Sequence, residues 1–134
     1  MKLDLTALEM ATASLGRALT RADGATGDEE LRDAVIQRFE YTYELCWKMT
    51  KRRIEADAAV PADVDAMSFR VLMREAAERG IVQDVTRWLE YREQRNMTSH
   101  TYDAVKARSV FETARLFLAD ARSVLAELQR RNDD

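Results

Sequence analysis

Apolar residues recur along this chain at steps of three and four, the period of a helix that buries one face, and no stretch alternates convincingly with the two-residue period of a strand. Leu8, Ala11, Leu15 and Leu19 form one stripe and predict a first helix from about Leu5 to Arg21. The breaker-rich run Ala22-Asp23-Gly24-Ala25-Thr26-Gly27 ends it. Asp28 is placed to cap a long second helix reaching about Ala58. Its apolar positions, Leu31, Val35, Phe39, Tyr43, Cys46, Trp47 and Ile54, cover a wide face, as expected of a helix with more than one neighbour. Pro61 and Asp63 mark a connection. Phe69, Leu72, Met73, Ala76 and Ala77 then predict a shorter helix closed by Gly80. Asp84 caps a fourth helix carrying Val85, Trp88 and Leu89. Asp103 caps the last, striped with Val110, Ala114, Phe117, Ala121, Leu125 and Leu128. The tail from Arg130 to Asp134 is expected to fray. With short connections and no repeat or linker, the pattern predicts an all-α, antiparallel up-down bundle of four to five helices, a single domain over residues 1–134.

Composition narrows the partners. The net charge of −3 argues against a broad nucleic-acid-coating surface, so any RNA contact is expected at a small arginine cluster. No apolar run approaches the roughly 20 residues of a membrane span, and the N-terminus lacks the basic-then-apolar pattern of an export signal. Cys46 has no second cysteine to pair with, and a reducing cytoplasm is the expected compartment. Set between Leu45 and Trp47, it reads as a small buried hydrophobe. Gly24 and Gly27 lack a following Lys-Ser/Thr pair, and no His/Cys cluster exists, so no cofactor and no metal is expected.

The chemistry concentrates at Arg95-Asn96-Met97-Thr98-Ser99-His100-Thr101-Tyr102, which holds the chain's one histidine. A guanidinium presents a planar fork of donors to phosphate, histidine moves protons near neutral pH, and Asn and Tyr donate hydrogen bonds. Residues five apart on a straight helix are about 140° out of phase. Thr98-Ser99 is poor helix-forming sequence, and Asp103 offers a fresh start. The fourth helix is therefore expected to end near Met97 to Ser99, with Arg95 on its last turn and His100 in the turn beyond, so that guanidinium and imidazole converge. The plainer alternative is a capping or surface histidine, a surface-paired Arg95 and a packing Tyr102. Glu44 is most simply an i,i+4 partner of Lys48, with Glu40 or Glu44 facing Arg95 as the alternative. Tyr41 and Tyr43 read as core or interface residues. Trp47 and Trp88 read as core or dimer-interface anchors, with base stacking as the alternative.

Arg95, four intervening residues of which the first is the polar Asn96, and His100 together resemble the signature of the HEPN superfamily. Tyr102 extends it to the Arg-x4-His-x-Tyr form of HEPN toxins, the HepT-like group. Arg38-Phe39-Glu40-Tyr41-Thr42-Tyr43-Glu44-Leu45-Cys46-Trp47-Lys48, Arg74-Glu75-Ala76-Ala77-Glu78-Arg79-Gly80-Ile81, and Trp88-Leu89-Glu90 resemble the subfamily of nucleotidyltransferase substrate-binding proteins. The resemblance implies a HEPN-like bundle that forms a homodimer with its motifs facing each other, and metal-independent cleavage of RNA. It also implies a toxin–antitoxin pair with a minimal nucleotidyltransferase encoded in the adjacent gene. That antitoxin would neutralise the chain, in some pairs by AMP transfer to the motif tyrosine, here Tyr102. The subfamily name carries a second implication, a non-catalytic subunit that presents substrate to the nucleotidyltransferase.

The residues support the first implication chemically. Metal-free cleavage needs a base for the ribose 2′-OH, a cation for the phosphoryl charge and an acid for the leaving oxygen. His100 suits proton transfer, Arg95 charge stabilisation, and Asn96 the orientation of phosphate or imidazole. One histidine cannot form an acid–base pair alone. A second chain would bring another, while water or Tyr102 are the alternatives for the acid.

Overall fold

The computed structural model describes residues 1–133, and among them every regular element is helical. The elements are α1 (Thr6–Asp23), α2 (Glu29–Asp57), α3 (Pro61–Asp65), α4 (Phe69–Glu78), α5 (Val85–Arg95) and α6 (Ala104–Asn132). Local capping sets the boundaries. The carboxylates of Asp28, Asp84 and Asp103 accept from the amides of Leu31, Arg87 and Val105/Lys106, satisfying donors that a helix start leaves orphaned. Ser68, not singled out in the sequence, caps α4 in the same way. Gly80 closes that helix at φ +79°, a left-handed conformation suited to glycine. The connection around Pro61 winds into the five-residue α3, because proline at the first helical position gives up no needed N–H.

α1, α2 and α6 pack against one another along their lengths, and α4 and α5 lie against α2, with α5 also on α6. Phe117 of α6 sits at the aromatic centre, with ring centroids 5.1 Å from Phe39, 5.7 Å from Trp88 and 4.9 Å from Tyr91. These edge-to-face contacts join α2, α5 and α6, so the helix that carries Arg95 is fixed to both long helices. Tyr91 also donates its hydroxyl to Asp120 of α6. Cys46 is fully buried, and burial pushes its thiol far above the ordinary value. Tyr43 is buried, whereas Tyr41 is on the surface and donates to the Ser14 hydroxyl at 2.8 Å.

The expected fraying of the C-terminal tail does not hold through Asn132. α6 continues to that residue, whose amide both accepts from Leu3 N (3.0 Å) and donates to Leu3 O (2.9 Å). Arg131 donates to the carbonyl of Arg79. Contacts between residues far apart in the chain thus hold a terminus that local sequence would leave loose. Asp134 lies outside the described residues. The N-terminus is held likewise: Arg53, 3% exposed, donates to Met1 O at 2.8 Å and pairs with Asp57 at 3.1 Å.

Candidate functional site

α5 ends at Arg95, and Asn96 is its C-cap. The chain then descends through tight turns, with Thr98 N donating to Arg95 O, His100 N to Met97 O and Asp103 N to His100 O. The Thr98 hydroxyl takes up the Arg95 carbonyl as well, at 2.8 Å. Such side-chain competition for backbone acceptors is the physical reason a Thr-Ser pair breaks a helix. The break falls slightly earlier than the sequence predicts. Arg32 of α2 reaches the Thr101 carbonyl at 3.4 Å, and Asp103 starts α6.

Two local arrangements result. On the α5 side, Arg95 Nε donates to Glu44 Oε1 at 2.8 Å, and its Nη2 lies 3.9 Å from Glu40. Glu44 is shared: Trp47 Nε1 donates to it at 3.2 Å and Lys48 lies at 3.6 Å. Both sequence alternatives for Glu44 are therefore present together. The pairing engages the Nε hydrogen and leaves Arg95 side-chain donors for a ligand. On the turn side, His100 Nδ1 lies 3.0 Å from the Tyr102 hydroxyl, and the two rings meet edge to face at 5.7 Å and 73°. Tyr102 is 83% exposed. Asn96 is exposed beside Arg95.

Among the described residues no hydrogen bond or ion pair joins Arg95 to His100. Convergence of guanidinium and imidazole, as the sequence predicts it, would be on a shared phosphate and needs no contact between the two groups. The break brings His100 to Tyr102 and leaves Arg95 with the carboxylates of α2. Arg95 and Asn96 instead border a groove of about 340 Å³ between α2, α4 and α5, whose lining includes Trp47, Phe69 and Arg92. Trp47 is half-buried here, whereas Trp88 is core. Sequence reasoning missed Arg92 altogether and read Phe69 only as a stripe residue. The available signal was Arg92 standing three residues before Arg95, on the same helical face.

Among the described residues no three His, Cys, Asp or Glu side chains gather into a metal-holding group, and no helix is long and apolar enough to cross a membrane.

The family described as nucleotidyltransferase substrate binding protein like matches residues 3–130. This chain belongs to that family. It is 35% identical, over 98% of its length and 95% of the other, to a Haemophilus influenzae protein named "Probable ribonuclease HepT". A solved Haemophilus influenzae structure, described as revealing the fold of a substrate binding domain of a nucleotidyltransferase, matches at a TM-score of 0.89 and 34% identity. That match covers 94% of this chain and 99% of the other. A Thermus thermophilus crystal structure matches at 0.73 and 29% identity, over 90% and 98% of the two chains. The HEPN-like, all-α bundle expected from the sequence is therefore the fold, and the subfamily named from its motifs is the family.

Proposed function

We propose that this protein is the toxin of a toxin–antitoxin pair, a metal-independent endoribonuclease whose active site is shared between two copies of the chain. The observation that carries the proposal is the turn between α5 and α6, which presents a part-exposed His100 and leaves Arg95 donors accessible. The relative named as a ribonuclease, aligned over nearly the whole chain, supports it. The single histidine favours a shared site, since a second copy would supply a second imidazole for the acid–base pair. Exposed apolar side chains near the motif would suit such an interface. Tyr102 and Val105 flank the motif at 83% and 80% exposure, and Leu116 lies three turns along the same face of α6.

In this proposal the ribose 2′-oxygen attacks the adjacent phosphorus as His100 of one copy takes its proton, the partner's His100 protonates the leaving 5′-oxygen, and Arg95 stabilises the added phosphoryl charge. Asn96 orients the phosphate. The 5′-oxygen leaves, giving a 2′,3′-cyclic phosphate and a 5′-hydroxyl. A minimal nucleotidyltransferase silences the toxin by AMP transfer: the Tyr102 phenol oxygen attacks the α-phosphorus of ATP and pyrophosphate leaves. The 3.0 Å contact with His100 gives that modification a direct consequence, because it removes the hydroxyl proton beside Nδ1 and sets a bulky anion against the imidazole. Purified protein is expected to cleave RNA in EDTA, with His100→Ala and Arg95→Ala each reducing the rate at least about 100-fold, the scale of a lost acid–base or charge-stabilising group. Cleavage that survives His100→Ala at the parent rate refutes the assignment.

The family description and the first structural match favour a second reading, a non-catalytic subunit that presents substrate to a nucleotidyltransferase. It predicts stable co-purification with that enzyme and no RNA cleavage by the isolated chain.

A further inference from the structure

Apart from Arg95 and Asn96, the groove beside Arg95 is lined by residues that the proposed chemistry does not use. Its charged residues are Lys51, Arg92, Arg95 and Glu44, and its aromatic ones are Tyr43, Trp47 and Phe69. Each cation has a different situation. Arg95 is held by Glu44 and Glu40. Lys51 is held by Asp65 at 2.7 Å and Glu55 at 3.9 Å. Arg92 has no carboxylate partner among the described residues. Its guanidinium lies over the Phe69 ring, 4.9 Å from the centroid. Trp47 meets the same ring edge to face at 6.1 Å and 88°.

An arginine laid on an aromatic face offers its other face as a flat platform, while its N–H edge stays open to an anion. Platforms of this kind accept nucleobases, which stack without regard to sequence because every base has a π-face. The volume of about 340 Å³ falls in the range of small-molecule sites. Arg92 and Arg95 are three residues apart on α5, so they stand one above the other on one face. A ligand that joins a flat ring to a phosphate fits that order: ring at Arg92, phosphate towards Arg95.

We propose that this groove is a nucleotide-binding subsite of the RNA site, in which a base stacks on the Arg92–Phe69 platform beside Trp47 while its adjoining phosphate meets Arg95. The inference rests on the ribonuclease reading for the identity of the ligand. It assigns to Arg92, Phe69 and Trp47 the holding of the nucleotide next to the cleaved phosphate. It also offers a reason why an acidic protein, of net charge −3, binds RNA at one place: Arg92 is the groove cation that no carboxylate holds among the described residues.

The test uses the full chain carrying His100→Ala, so that RNA is bound and not cut, with a short single-stranded oligoribonucleotide as the probe. Binding is read by anisotropy and by tryptophan fluorescence, in which only Trp47 is placed to respond, since Trp88 is 2% exposed. Arg92→Gln, at an exposed position, is expected to weaken binding about tenfold, the scale of one lost stacking contact. Trp47→Phe is expected to abolish the fluorescence change. Unaltered affinity in Arg92→Gln, or a fluorescence change that persists in Trp47→Phe, overturns the proposal. So does an Arg92→Gln protein that binds the oligonucleotide normally but no longer holds its nucleotidyltransferase, which would make the groove a protein interface. Cleavage by the parent chain in EDTA is measured separately. Oligonucleotide binding that depends on Arg92, with no cleavage by the parent, removes the ribonuclease reading and leaves the subsite. Normal cleavage and binding in Arg92→Gln does the reverse.

Discussion

Replacing Glu44 with alanine separates the holding of Arg95 from its chemistry. Glu44 makes the one hydrogen bond that the Arg95 side chain has among the described residues, 2.8 Å from Nε, and Glu40 is a looser partner at 3.9 Å. Without Glu44 the guanidinium regains rotamer freedom that is worth up to about 2 kcal/mol for an arginine. Repaying that freedom whenever phosphate binds lowers kcat/KM by about tenfold to thirtyfold. Stability changes far less. The Arg95 and Glu44 side chains are 38% and 25% exposed, so solvent screens the pair. Together with the lost Lys48 and Trp47 contacts, the cost is about 1 kcal/mol, a fall in Tm of about 3–5 °C. Glu44→Gln keeps an acceptor for Nε and is expected to lose threefold or less in kcat/KM. The assay is steady-state cleavage of a fluorogenic oligoribonucleotide in EDTA, alongside thermal melts of each variant. If Glu44→Ala cleaves as fast as the parent or faster, the carboxylate does not position Arg95, and the reasoning fails.

Stability is expected to fall at alkaline pH. Burial holds Tyr43 and Tyr91 protonated, above their ordinary value of 10.0, and for Tyr91 the bond to Asp120 adds to it; this stabilisation is complete below pH 10.0 and is lost as pH rises beyond it, by up to about 1.4 kcal/mol per pH unit for each tyrosine. Cys46, raised by burial from 9.0, adds to the same loss from pH 9.0 upward, and urea midpoints that stay flat between about pH 8 and 11 contradict this. Asn132→Ala removes both hydrogen bonds to Leu3 and is expected to cost about 1–2 kcal/mol in urea unfolding; an unchanged midpoint makes the clamp inert. Incubation with the nucleotidyltransferase and Mg·ATP is expected to add AMP mass units to the parent and none to Tyr102→Phe, and an equal gain in both moves the acceptor elsewhere.

The helices were legible in the sequence because their determinants are local. The apolar stripes and the Asp28, Asp84 and Asp103 caps are read within a few residues, and so is the break at Thr98-Ser99. The pairing of Glu44 with Arg95 was visible only as an alternative, since it spans 51 positions. The Asn132–Leu3 clamp, separated by 129 positions, left no local trace. Phe69 is a stripe residue by periodicity, yet it is half-exposed under Arg92 because α4 lies at the edge of the bundle. His100 and Tyr102 were legible as neighbours in the chain, while the contact between their side chains was not.

The central claim is that His100 and Arg95 cut RNA through the ribose 2′-oxygen. The most direct measurement is the chemical identity of the product ends formed in EDTA by the parent chain and by His100→Ala. The account predicts 2′,3′-cyclic phosphate and 5′-hydroxyl ends from the parent and at least about 100-fold less product from His100→Ala. Ends bearing 5′-phosphate and 3′-hydroxyl, or cyclic ends formed equally fast by both proteins, would contradict it.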